Sequence, residues 1–125
     1  MITIDYKSRV PIYDQIVNSV IRLKVVGVLK DGDKLPSVRQ LALKLSVNPN
    51  TVQKAYAILE TNGVIYSVTG KGSFISEDET AKDAILEAAK DDFKRAVEEA
   101  FRKGLAKEEL ENILKQIYKG GREND

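Results

Sequence analysis

The run from Asn48 to Lys54 places two asparagines, a threonine, a glutamine and a lysine within seven residues. A carboxamide carries a donor and an acceptor on one plane, so Asn50 or Gln53 can pair bidentately with an adenine edge. A threonine such as Thr51 can touch a thymine methyl, and a lysine such as Lys54 reaches a guanine edge or a phosphate. Two further cations stand apart, Arg39 and a Lys71 set between Gly70 and Gly72. This is a chemistry of recognition and not of bond-making. The chain has no histidine and no cysteine. That removes the usual general base near neutral pH, thiolate ligands and disulfides. Asp91-Asp92 and the acidic run Glu108 to Glu111 read as solvated helix faces. No metal, no cofactor and no enzymatic activity are therefore expected.

Such residues need helices to present them. Pro11 suits the first turn of a helix whose apolar face is Ile12, Ile16, Val20 and Leu23. Residues 1–10 read as an extended arm. Gly27 lies near the end of this first helix, and Lys30 to Pro36 reads as a loop of turn formers. Ser37 with Gln40 three residues later forms a capping-box signature for a second helix, its inner face Val38, Leu41, Ala42 and Leu45. The pattern breaks at Ser46, and Asn48-Pro49 reads as N-cap and first turn of a third helix. Its buried stripe is Val52, Ala55, Tyr56 and Leu59, with Tyr56 assigned to the core and not to a phosphate. Asn50, Gln53 and Lys54 then face outward, with Thr51 beside them. Gly63 suits the left-handed position after the helix. From Val64 the period becomes two. Val64–Val68 and Ser73–Ser76 read as strands joined by the glycine-rich turn Thr69–Gly72. The fold class is mainly α with a small β-hairpin, in the order of a winged helix-turn-helix. That fold places the N-terminal end of its second motif helix in the major groove.

The net charge of +1 hides a division. Residues 1–76 carry ten Lys/Arg against five Asp/Glu, giving +5, and residues 77–125 carry ten against fourteen, giving −4. A basic front half suits a polyanion. The expected organisation is a winged helix-turn-helix DNA-binding domain at 1–76, an acidic linker at 77–80, a helical dimerisation region at 81–119 and a disordered tail at 120–125. In the third segment Ile85, Ala89, Phe93, Val97 and Phe101 step by four. Gly104 interrupts, and Leu110, Ile113, Leu114 and Ile117 line a second helix with Ala106 at its N-cap and Glu109 as the capping partner. Two helices of that size bury little apolar surface alone. A homodimer with two-fold symmetry is the expected solution, and folding back onto the winged helix in a monomer is the alternative. No leader is read at Met1. The apolar stretch Val20–Leu29 is too short to span a bilayer and is interrupted by Arg22 and Lys24. A cytoplasmic protein with no membrane partner is expected.

The stretch GDKLPSVRQLALKLSVNPNTVQKAYAILETNGVIYSVTGKGSFI, Gly32 to Ile75, resembles the winged-helix domain of GntR-type bacterial transcriptional regulators. PIYDQI at Pro11 to Ile16 and VNPNTV at Val47 to Val52 look like the YtrA-type branch. The resemblance covers about residues 3–76, with the LPSxRxLA element, the turn and the GKGSF wing all in order. It implies a dimeric repressor of an operon, often one encoding transport proteins and the regulator itself. By position it points to Ser37, Arg39, Asn48, Asn50, Thr51 and Gln53 as DNA contacts, with Gly70 and Lys71 in the wing. Lys54 joins them from its own chemistry, on phosphate more than on base. Two copies would read a pseudo-palindromic operator in double-stranded DNA, its half-sites a whole number of turns apart.

Two departures matter. Many family members have arginine where this chain has Pro49 and Gln53, so a guanine-reading role is not carried over. Ser46 stands where glycine is common, and a positive φ there adds strain. Larger relatives carry a ligand-sensing domain. A cavity of about 300 Å³ or more is hard to fit inside two short helices, so a small-molecule effector is left to the dimer interface or to the space between tail and wing. The rival reading is a winged helix serving as a protein-interaction module, which binds DNA weakly and without site preference.

Overall fold

A computed structural model describes residues 2–123, with Lys82 and residues 121–123 described by their backbone alone. The chain divides into two compact units, Met1–Ile85 and Leu86–Asp125. The elements are α1 (Ile12–Val25), α2 (Val38–Leu45), α3 (Pro49–Thr61), β1 (Ile65–Val68), β2 (Gly72–Ile75), α4 (Glu79–Arg102) and α5 (Lys107–Glu123). β1 and β2 pair antiparallel in the register Ile65↔Ile75, Tyr66↔Phe74, Ser67↔Ser73 and Val68↔Gly72. The expected class, mainly helical with one small hairpin, is the one observed.

The core of the first unit is built from the stripes the sequence displays. Ile16 and Val20 of α1, Leu41 of α2, Val52 and Leu59 of α3, and Val64 and Ile75 of the hairpin are fully buried. Burying a side chain of this size contributes about 1.5–3 kcal/mol. α3 packs against α1, α2 and β1, so it is the element that everything else in the unit positions. Lys24 is buried at the end of α1. It donates to the Ser76 carbonyl at 2.5 Å and lies 3.7 Å from Asp31 Oδ1. This ties α1 to the chain leaving β2.

The structure adds to or departs from the sequence expectations at several places. Residues 2–10, read as an extended arm, are held to the body, because Ile2 enters the core and Ile4 packs against it. Gln15 fastens the segment: its Oε1 accepts from Asp5 N–H at 2.6 Å, and its Nε2 donates to the carbonyls of Asp5 at 3.0 Å and Val10 at 2.8 Å. The loop Lys30–Pro36 is tied to β2 by an isolated antiparallel bridge. Lys34 bridges Phe74, Leu35 N–H donates to Ser73 O at 2.9 Å, and Ile75 N–H donates to Asp33 O at 2.8 Å. Burial of Leu35 is what draws this segment onto β2.

The linker is shorter than 77–80. Asp78 Oδ1 accepts the N–H groups of Thr80 at 2.9 Å and Ala81 at 3.3 Å, a side-chain cap that starts α4 at Glu79. Ala81 is buried, and Ile85, expected on the dimerisation stripe, packs against the core of the first unit. A stripe with a step of four shows which face is apolar and not what covers it. In the second unit α4 ends in a Schellman arrangement. Gly104 has φ +92, its N–H donates to Phe101 O at 3.0 Å, and Leu105 N–H donates to Ala100 O at 3.0 Å. α5 runs through Gly120 to Glu123, where a disordered tail is expected from the sequence; residues 124–125 lie outside the described residues. Once a helix is nucleated each further residue adds a backbone bond, and glycine costs only about 1 kcal/mol against that gain.

Candidate nucleic-acid interface

The first part of the interface is the start of α2. Ser37 sits at the N-cap in extended geometry, and the capping box is complete. Gln40 N–H donates to Ser37 Oγ at 3.1 Å, and Ser37 N–H donates to Gln40 Oε1 at 2.9 Å. The Ser37 oxygen is thus used as an acceptor, and its hydroxyl proton stays available for an anion. Arg39 follows two residues later, exposed and without an ion pair among the described residues. The turn after α2 is also a Schellman arrangement. Val47 N–H donates to Ala42 O at 3.0 Å, and Ser46 N–H donates to Leu43 O at 3.3 Å. Ser46 occupies the left-handed position, φ 57 and ψ 45, and among the described residues it is the one non-glycine with positive φ. The strain expected at this position is therefore present.

The second part is the start of α3. Asn48 Oδ1 accepts Asn50 N–H at 2.8 Å, and the Asn48 carbonyl accepts Thr51 N–H at 2.9 Å. While it caps, Asn48 has one lone pair of Oδ1 in use, and its amide nitrogen is free to donate. Asn50 has no such commitment: it is exposed, and both ends of its carboxamide are open. Gln53 is exposed and Thr51 half-buried beside it. Lys54 has a partner that the sequence does not reveal. Its Nζ sits 3.9 Å from the centroid of the Tyr13 ring on α1. A cation–π contact at an exposed site is worth about 0.5–1 kcal/mol, so a phosphate has to compete with Tyr13 for this ammonium. Tyr56 is withdrawn into the core as expected. Its hydroxyl donates to Pro36 O at 2.7 Å, and burial pushes its phenol from 10.0 up to about 12.

The third part is the wing tip. Lys71 N–H donates to Val68 O at 2.9 Å, and Gly70 and Gly72 have φ of 78 and 118. Side chains rarely adopt that backbone region, so glycine closes the turn without strain. Lys71 is exposed and makes no ion pair among the described residues. In the second unit Lys90, Arg95, Arg102, Lys103 and Lys107 are each paired with an acid three or four residues away. In the first unit Arg39 and Lys71 keep their charge open to an external anion. Among the described residues no group of acids could hold a metal ion.

A family profile described as "Bacterial regulatory proteins, gntR family" matches residues 12–75, from the first turn of α1 to the end of β2. The chain is 42% identical to the HTH-type transcriptional repressor YtrA of Bacillus subtilis (strain 168), over the whole of both chains. Among solved structures it resembles a transcriptional antiterminator from Listeria monocytogenes EGD-e, with 38% identity and a TM-score of 0.78 over 94% of this chain and 90% of that one. It also resembles AraR(DBD), solved in complex with operator ORE1, with 25% identity and a TM-score of 0.52 over 61% of this chain and 93% of that one. A profile that spans the motif helices and the wing, joined to full-length identity with a repressor, establishes that the chain belongs to the GntR family of bacterial regulatory proteins, in its YtrA-like branch, a family of DNA-binding transcription regulators and not of enzymes.

Proposed function

We propose that the chain is a homodimeric repressor that reads a pseudo-palindromic operator in double-stranded DNA and controls an operon, one that encodes transport proteins and the regulator itself. The observation that carries this reading is Asn50: an exposed, uncommitted carboxamide in the first turn of α3, next to a capped Asn48 and an exposed Gln53. Asn50 and Gln53 supply the base-edge contacts. Ser37, Arg39 and Lys71 supply the charge and donors that fix the protein on the backbone, with Gly70 allowing close approach. The operator complex of AraR(DBD) supports the same use of the fold.

The dimer reading rests on the second unit. Phe93, Phe101, Ile113, Leu114 and Ile117 are exposed in the single chain, Phe101 to 76%. Ala89, Val97 and Leu110 belong to the same apolar stripes. A second copy of this chain offers those faces the partner they lack, and two recognition helices then address two half-sites. Among the described residues no helix is long and apolar enough to cross a membrane, in keeping with a cytoplasmic regulator.

Selection from a random DNA pool tests this with wild type, Asn50→Ala and Arg39→Ala. Wild type is expected to enrich a two-fold-symmetric site. Asn50→Ala is expected to lose preference at one position of each half-site, and Arg39→Ala to lose affinity on all sequences alike. A wild-type protein that enriches no sequence at low salt overturns the operator reading and favours a protein-interaction module.

A further inference from the structure

The wing carries a cation that lies outside the motif residues above. β2 has two neighbours: β1 on one side, and on the other Lys34, which bridges Phe74. Residues opposite one another in antiparallel strands project from the same face. Lys34, Phe74 and Tyr66 therefore share one face of the wing, and the Val68↔Gly72 pair continues that face toward the tip. Tyr66 and Phe74 stack with ring centroids 5.6 Å apart. The Lys34 chain is directed toward the tip. A Cβ on Gly72 would lie 3.1 Å from Lys34 Cε and 3.9 Å from Lys34 Nζ. The hydrogen of Gly72 thus leaves the track along which the lysine stem runs, and any side chain there would push it aside. The ammonium is set beside the residue that follows Lys71 in the chain. Lys34 is exposed and, like Lys71, has no ion pair among the described residues.

The Lys34 ammonium stands beside the wing tip that carries Lys71, and neither charge has an ion-pair partner among the described residues. Lys34 also leads, through Leu35 and Pro36, directly to Ser37 and Arg39. One short segment therefore carries a cation at the wing and the capped, donor-rich start of α2. We propose that Lys34 is a phosphate anchor of the DNA complex, which joins the wing contact of Lys71 to the backbone contacts at the start of α2. It positions the protein and reads no base. Gly72 is kept side-chain-free as much for the path of Lys34 as for its own φ of 118. This inference rests on the operator-binding reading above.

The test is equilibrium binding of the full chain to the selected operator and to a mixed-sequence duplex, across a salt series. The proteins are wild type, Lys34→Met, which keeps the stem and removes the charge, and Lys34→Arg, which keeps the charge. One phosphate contact contributes about 0.9 to the slope of log affinity against log salt. A homodimer places two copies of Lys34 on one operator, so Lys34→Met is expected to lower the slope by about 1.8, which corresponds to roughly a 12-fold smaller loss of affinity between 50 and 200 mM salt. Its affinity is expected to fall by the same factor on both duplexes, so the preference for the operator is unchanged. Lys34→Arg is expected to restore the slope. A folded Lys34→Met with the wild-type slope overturns the anchor and leaves the operator reading standing. A changed preference ratio overturns the positioning role in favour of base reading. A wild-type protein with no salt-dependent DNA binding overturns both readings together.

Discussion

Replacing Ser46 by glycine should stabilise the protein. Ser46 occupies the left-handed position of the Schellman turn that ends α2, with φ 57. A residue with a Cβ in that conformation costs roughly 1–2 kcal/mol. No side-chain hydrogen bond of Ser46 offsets this cost, and the residue is exposed, so no packing is lost with the hydroxymethyl group. Glycine removes the strain but is freer in the unfolded chain, a loss of about 0.5–1 kcal/mol. The net gain is then about 0.5–1 kcal/mol. For a unit the size of Met1–Ile85, 1 kcal/mol shifts the midpoint by roughly 4–8 °C, so Ser46→Gly should raise Tm by about 2–8 °C. Thermal and urea unfolding at matched protein concentration measure it, with the urea m-value unchanged. Ser46→Ala keeps the Cβ and should be near neutral. Gly63→Ala, at φ +75 with only ordinary contacts around the added carbon, should be destabilising. A Ser46→Gly midpoint at or below wild type would refute the strain argument and point to a role for the hydroxyl.

Three further outcomes follow from local geometry. α5 begins at Lys107, and Glu109 and Leu110 N–H both donate to the carbonyl of Ala106. Ala106→Ser should therefore add a side-chain cap worth about 1 kcal/mol, seen as a higher thermal midpoint; no rise would place the cap elsewhere. Lys24→Met removes the donor of the Ser76 carbonyl, and should lower stability in urea by about 1–3 kcal/mol. Asp31→Asn should lower it by less than about 1 kcal/mol, because that carboxylate is 47% exposed; equal effects would mean that the ion pair matters more than the carbonyl. Tyr56 has its phenol raised from 10.0 to about 12 by burial. Its unfolded form ionises first, so stability is complete below pH 10 and is lost as pH rises toward about 12. Tyr56→Phe should remove that component, and the stability gap between wild type and variant should shrink over this window in urea titrations.

The sequence displays what is settled within a few neighbouring residues. The Ser37/Gln40 box, the Asn48-Pro49 start, the stripe Val52, Ala55, Tyr56 and Leu59, and the glycine-closed wing are all local patterns, and each appears where expected. The outward placement of Asn50 and Gln53 follows from the stripe by subtraction. What stayed hidden depends on partners far away in the chain. Ile2 and Ile4 are too few to show a period, yet they find the core. Lys34 sits among turn formers, and only β2 makes its neighbourhood extended. The Lys54 ammonium faces Tyr13, an aromatic residue on another helix. Ile85 carries the same spacing as Phe93 but belongs to a different unit, because periodicity reports a face and not its occupant.

The segment at Asp33–Leu35 has one more effect. An open sheet edge is a template for further strands, and a two-stranded hairpin normally has two such edges. Here the outer edge of β2 is already occupied: Gly32 and Leu35 donate to it, and it donates to Asp33. Pro36 then ends the segment with a residue that cannot donate. The wing is left with a single free edge, the four residues of β1, too short to recruit a stable neighbour. The hairpin is thereby kept from joining the wings of other molecules into a continuous sheet, even at high protein concentration.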